Sequence, residues 1–196
     1  MSLGSHQRTV GLSQNHITPK WIIDALGPFD LDPCAADPRP WDCARINWTS
    51  HGLERDWLRK LFIYENPPFD RYVVGKWIAK LAEHGNGICL LHARTEAAWF
   101  EPVWQHAAAI LFMADRIHFH RPDGSRQPAN SGAPPILAAF GDKAVLRLHR
   151  CGIAGACEYT LGCAARDQSG DLRAARALGL AGDTTRCPAN RCAHIR

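Results

Sequence analysis

No strand can continue through Asn66-Pro67-Pro68-Phe69. The run before it, Leu61-Phe62-Ile63-Tyr64, is short, apolar and aromatic, which reads as a buried strand. Two successive prolines remove two backbone donors and fix φ, so the chain must leave the sheet and turn. An Asn amide, a proline carbonyl and an aromatic ring are then presented at the carboxyl end of a strand. That set suits gripping a planar base by its amino group. Read blandly, the same tetrapeptide is a rigid surface turn with a Phe packed into the core.

Around this point the chain alternates between strand-like and helix-like segments. Thr18-Pro19 reads as a helix start, Thr as N-cap and Pro at the first helical position. Trp21, Ile22, Ala25 and Leu26 then give an apolar face, and Gly27-Pro28 ends the helix. Phe29-Asp30-Leu31-Asp32 reads as a short strand stopped by Pro33, and 34–56 as irregular. Tyr72–His84 has a helical stripe of Trp77, Ile78 and Leu81, with Gly85 as the stop. Gly87–Leu91 is a further strand. Glu96–Gln105 is expected to be a short helix carrying Trp99, Phe100, Val103 and Trp104, and Ala108–Met113 a strand. After a polar loop at 121–131, Ile136–Phe140 and Val145–His149 look like a terminal pair of strands. The spacing predicts an α/β sheet with helices on both faces, and Trp21, Trp77, Trp99 and Trp104 as core.

The chain has 196 residues, 46% hydrophobic and 21% charged, which is enough for one domain with a real core. The expected division is a flexible leader at 1–15, a main domain at 16–150, and a Cys-rich, poorly ordered tail at 151–196 in which Leu172–Leu180 could form a helix. The formal net charge of +4 is compatible with nucleic acid and equally with an ordinary soluble surface. No segment has the apolar length of a membrane span and the polar start lacks a signal core, so a cytoplasmic protein is expected. In that compartment the eight cysteines do not suggest a disulfide scaffold. The tail spacings, C-x5-C twice and C-x4-C, are looser than zinc pairs. His118 and His120 would share one strand face, yet no third ligand lies near them in sequence, and no metal site is assigned.

In such a sheet, ligands collect outside the carboxyl ends of the strands. Asp32-Pro33-Cys34-Ala35 and Asn66-Pro67-Pro68-Phe69 both fall there, 34 positions apart (66 − 32), room for a crossover. Taken alone, Asp32 reads equally as an N-cap or a solvated loop acid. An exocyclic amine such as adenine N6 is a poor nucleophile because its lone pair is delocalised into the ring. The Asn66 amide oxygen and the Pro67 carbonyl could each accept one N–H, favouring a more tetrahedral nitrogen. Pro68 stiffens the loop, and Phe69 offers a face for an extruded base. The methyl donor for such chemistry would be S-adenosylmethionine, already electrophilic and needing no metal.

Several segments, in order, resemble the phage-type, Dam-like DNA N6-adenine methyltransferases over about Thr18 to Phe140. They are Thr18-Pro19-x-x-Ile22-Ile23, Phe29 to Ala35, Gly52-Leu53 with Trp57, Asn66 to Phe69, Leu90-Leu91-x-x-Arg94-Thr95-x-x-x-Trp99-Phe100, and Arg116-Ile117-x-Phe119. The resemblance implies a compact Rossmann-like, S-adenosylmethionine-dependent sheet acting on double-stranded DNA in a bacterial cytoplasm, encoded by a phage or prophage. It implies Thr18, Pro19, Asp32, Pro33, Cys34 and Ala35 at the cofactor and Asn66, Pro67, Pro68 and Phe69 as the catalytic loop. Arg94, Trp99 and Arg116 would face the substrate, with core packing open for Trp99 and an ion pair open for Arg116. His51 stands where the family often has Asp, and Phe69 where it commonly has Tyr. Asn-Pro-Pro-Phe alone would also admit methyltransferases of RNA bases or protein glutamine, and a catalytically inactive nucleic-acid binder is a further alternative.

Overall fold

The computed structural model describes residues 16–159. Among these residues seven strands form one sheet. In chain order they are β1 (Leu31–Asp32), β2 (Ile46–Asn47), β3 (Ile63–Glu65), β4 (Gly87–His92), β5 (Ala109–Met113), β6 (Pro135–Phe140) and β7 (Gly155–Tyr159), and they lie side by side as β2-β1-β3-β4-β6-β5-β7. The first four are parallel, with Leu31 opposite Ile63 and Glu65 opposite Cys89. The β4–β6, β6–β5 and β5–β7 pairs are antiparallel, so the sheet is mixed.

Alternate side chains of each strand enter opposite cores, as the twofold strand period requires. Phe62, Tyr64, Ile88, Leu90, Leu111 and Leu137 pack on one face with Ile22, Ile23 and Leu26 of α1 (Lys20–Leu26). Ile63, Cys89, Leu91, Ile110 and Ile136 pack on the other with Val74, Trp77, Ile78 and Leu81 of α2 (Val74–His84). A 3-10 turn, Ala98–Phe100, running into α3 (Glu101–His106) adds Phe100 and Val103 to that second face. Helices therefore cover both faces, as expected. Gly85 closes α2 at φ 72, a left-handed C-cap suited to glycine.

Several expectations are corrected. Val145–His149 is not a strand but lies within α4 (Asp142–Arg150). Its alternating Leu146 and Leu148 fit a strand period, yet Ala144 and Leu148 are the buried pair, four residues apart on one helical face. Thr18 does not cap α1: Pro19 holds the N-cap position, no side chain caps the helix, and the Thr18 hydroxyl is 2.6 Å from the Tyr64 hydroxyl. Trp21 and Trp104 are surface residues, 51% and 43% exposed, whereas Trp77 is core and Trp99 half-buried. The sheet also runs past residue 150, because β7 adds an edge strand at 155–159. The expected tail helix at Leu172–Leu180 lies outside the described residues, as do Cys163, Cys187 and Cys192. Among the described residues no helix is long and apolar enough to cross a membrane.

The assignment of α4 can be checked by unfolding. Leu148→Ala removes a fully buried side chain and is expected to lower the unfolding free energy by about 2–5 kcal/mol. Arg150→Ala, on the exposed side of the same helix, should change it by less than about 0.5 kcal/mol. Equal effects in chemical denaturation would contradict this packing.

Candidate active site

Because β1 and β3 are parallel neighbours, their carboxyl ends open on the same edge of the sheet. A cavity of about 290 Å³ lies there, lined by Thr18, Asp32, Pro33, Cys34, Ala35, Asn66 and Pro68, together with His16, Cys43, His51 and Tyr64. Its size is at the lower end for small-molecule sites. Five of the six residues expected at a cofactor thus share one cavity with Asn66. Pro19, Pro67 and Phe69 do not line it, nor do Arg94, Trp99 and Arg116.

The loop after β1 is pinned by backbone hydrogen bonds. Trp48 N–H donates to the Asp32 carbonyl (2.8 Å) and Ala35 N–H to the Trp48 carbonyl (2.9 Å). The Cys34 N–H donates to Asp32 Oδ1 at 3.0 Å. Gly52 closes the far wall: a Cβ there would lie 1.9 Å from the Pro33 carbonyl oxygen and 2.8 Å from the Trp77 ring, so only glycine permits the contact. Trp57 Nε1 donates to the Gly52 carbonyl (2.8 Å), which accounts for Gly52 and Trp57 appearing together as a motif. His51 has a left-handed backbone, φ 58, a conformation in which His and Asp are both enriched. Its Nδ1 is 2.5 Å from Glu54 Oε2.

Asn66 Nδ2 donates to the His16 carbonyl at 2.7 Å, while its Oδ1 is buried without a partner. A residue that lines the cavity thus carries an unused acceptor. Phe69 is turned into a ring cluster. It stacks on His92 with centroids 4.1 Å apart and planes 15° apart, and it leans on His16 and Phe119 at 6.3 and 6.0 Å. Arg94 and Arg116 lie near enough to His92 to act on its charge. Arg116 also donates to the Gly132 carbonyl. Trp99 packs on Phe100 (5.7 Å), and a Cβ added at Gly75 would lie 3.3 Å from Trp99 Cβ.

Two buried acids lie beneath these loops. Asp32 is pushed up to about 6, chiefly by burial, against the opposing pull of the Cys34 N–H, the Cys34 and Cys43 thiols and Arg39. Glu65, the residue before Asn66, is fully buried; its Oε1 accepts the Cys89 thiol at 3.3 Å and its Oε2 has no partner. Burial, with Asp32 as a smaller contribution, pushes it up to about 8 against the Cys89 hydrogen bond. The thiols of Cys34, Cys43 and Cys89 are all pushed up by burial and by the neighbouring acids, which removes them as nucleophiles at neutral pH. Glu65, Tyr64, His16 and His92 were not singled out from the sequence. An acid inside an apolar strand, directly before Asn66, was the available signal for Glu65. His118 Nδ1 is 2.9 Å from the Gln127 carbonyl, and His120 meets the Trp41 ring edge-on at 5.0 Å.

Residues 10–144 match the family model described as DNA N-6-adenine-methyltransferase (Dam). A relative from Escherichia phage T1, named DNA N-6-adenine-methyltransferase, is 32% identical over 103 residues, covering 49% of this chain and 43% of that protein. The matched stretch therefore spans less than half the length of this curated relative. No solved structure gives a significant match.

The raised acid has a consequence for stability. A carboxyl whose folded value lies above its unfolded value stabilises the fold while protonated, and this contribution is lost as pH rises between the two values. For Glu65 that window runs from about 4.5 to about 8. Glu65→Gln, which stays neutral, is expected to gain stability relative to wild type as pH rises through this window. Melting curves of both proteins at pH 5 and pH 8.5 check it; a difference independent of pH would exclude an ionising Glu65.

Proposed function

The chain belongs to the DNA N-6-adenine-methyltransferase (Dam) family, and from that premise we propose that it transfers a methyl group from S-adenosylmethionine to adenine N6 in double-stranded DNA. The observation that carries the chemistry is the buried, unpartnered Oδ1 of Asn66, a residue that lines the β1/β3 cavity. An unused buried acceptor is costly to a fold, so one kept at a strand end points to a donor that arrives with the substrate. The N6 amine has two N–H groups. Asn66 Oδ1 takes one and the Pro67 carbonyl the other, which draws the nitrogen lone pair out of conjugation.

S-adenosylmethionine, when bound, supplies an electrophilic methyl group on a cationic sulfonium. The residues present suit it. Asp32 is a buried acid on the cavity wall, and a cationic ligand beside it favours its ionised form. Thr18 and the Pro33-Cys34-Ala35 loop shape the same space, with Pro19 holding Thr18 at the start of α1. Pro68 stiffens the catalytic turn, and the Phe69 ring serves as the stacking surface for a flipped adenine. Arg94 and Arg116, both exposed and close to the Phe69–His92 stack, are placed to meet phosphate. Trp99 packs on Phe100 against the second core, on the other face of the sheet from Phe69. DNA of a bacterial cytoplasm, reached by a phage or prophage product, is the proposed setting.

Asn66→Ala is expected to lower methyl transfer to adenine by about 10²–10³-fold, the usual loss for one preorganised polar group. Affinity for S-adenosylhomocysteine, read by calorimetry, should stay near wild type. Near-normal turnover by this variant would remove Asn66 from the chemistry.

A further inference from the structure

We propose that His92 is a positioning residue, one that backs the Phe69 ring and holds it as the stacking platform for the target base. The proposal rests on the methyl-transfer reading and concerns a residue that the tetrapeptide does not contain. His92 closes β4, while Phe69 follows β3, so two neighbouring parallel strands deliver the two rings to one place. Their centroids are 4.1 Å apart and their planes differ by 15°, the geometry of a parallel stack. Phe69 is touched elsewhere by tilted rings, His16 and Phe119, at longer range. The residue as a whole is only half-buried, which leaves room for a base to approach.

Three observations separate this role from acid–base or hydrogen-bonding work by the imidazole. Its Nε2 is buried with no hydrogen-bond partner, so nothing polar holds that end of the ring. The imidazole does not line the cavity that Asn66 lines. It is also held neutral: burial first, then Arg94, His16 and Arg116, push it down to about 4. What is left for His92 to contribute is a flat ring of fixed orientation. A free phenyl ring at a loop would have to be immobilised by the incoming base, whereas a backed ring meets it already oriented.

The prediction is that ring shape matters at position 92 and nitrogen does not. In the full chain, His92→Phe keeps a flat ring and removes an unpaired buried polar atom. Its kcat and KM for unmethylated genomic DNA should stay within about twofold of wild type, with a melting temperature no lower. His92→Leu keeps bulk without a stacking face. Its KM for DNA should rise about tenfold, in the range expected for weakened base stacking, with S-adenosylhomocysteine affinity unchanged by calorimetry. A His92→Leu protein with wild-type KM, or a His92→Phe protein impaired as much as His92→Leu, overturns the proposal. Loss of S-adenosylhomocysteine binding in His92→Leu also overturns it, because the effect would then be general. A wild-type chain that binds S-adenosylhomocysteine but methylates no adenine overturns the methyl-transfer reading and this assignment with it. Wild-type activity beside a silent His92→Leu overturns this assignment alone.

Discussion

The hydrogen bond from Asn66 Nδ2 to the His16 carbonyl, 2.7 Å long, decides what the candidate site can do. A carbonyl oxygen can only accept, so it must face the NH2 end of the amide. The other end, Oδ1, is thereby turned away from that carbonyl and is buried without a donor, in a residue that lines the cavity. Leaving such an acceptor buried and unpaired costs about 1–3 kcal/mol, and the surrounding structure must hold it there. Two prolines do so from one side. From the other, His16 is fixed by its neighbours: Ile17 exchanges backbone hydrogen bonds with His120 at 3.2 and 2.8 Å, and Thr18 meets the Tyr64 hydroxyl at 2.6 Å.

The sheet turns separate segments into one surface. Parallel pairing of β1 with β3 aligns Asp32 and Asn66 on the same edge, and pairing of β3 with β4 brings His92 beside Phe69. The same geometry brings Asp32 and Glu65 together below the loops, where Asp32 adds only slightly, compared with burial itself, to the cost of ionising Glu65. Of the two, only Asp32 lines the cavity, and a cationic ligand beside it would favour its ionised form. In the proposed reading, Asp32 faces a positive methyl donor and the amide an amine.

Much of this was legible in the sequence because it rested on backbone chemistry. Prolines at 33, 67 and 68 mark where strands must stop, and strand ends in a wound sheet are where ligands gather. The Gly52–Trp57 block was legible as a pattern but not as a cause; the cause is a backbone approach to Pro33 that excludes any Cβ. Local windows were less informative where two periods fit equally. Residues 145–149 alternate well enough for a strand, and only the burial of Ala144 with Leu148 selects the helix. The edge strand β7 has an exposed, weakly apolar sequence whose pairing is set by β5 rather than by its own pattern.

Side-chain partnerships across long separations were illegible for a different reason. Thr18 looked like a helix cap because its neighbours are helical, yet its hydroxyl is taken by Tyr64, 46 residues away. Phe69 read as a ring free to meet a base, whereas in the folded protein it already stacks on His92. Neither partner carries a local sequence signal: a Tyr within an apolar strand and a His at a strand end are both ordinary. What makes them matter is register, since a shift of one residue in β4 against β3 would turn His92 to the opposite face of the sheet and leave Phe69 unbacked. Strand register therefore sets the Phe69–His92 stack, just as the His16 carbonyl sets the orientation of the Asn66 amide.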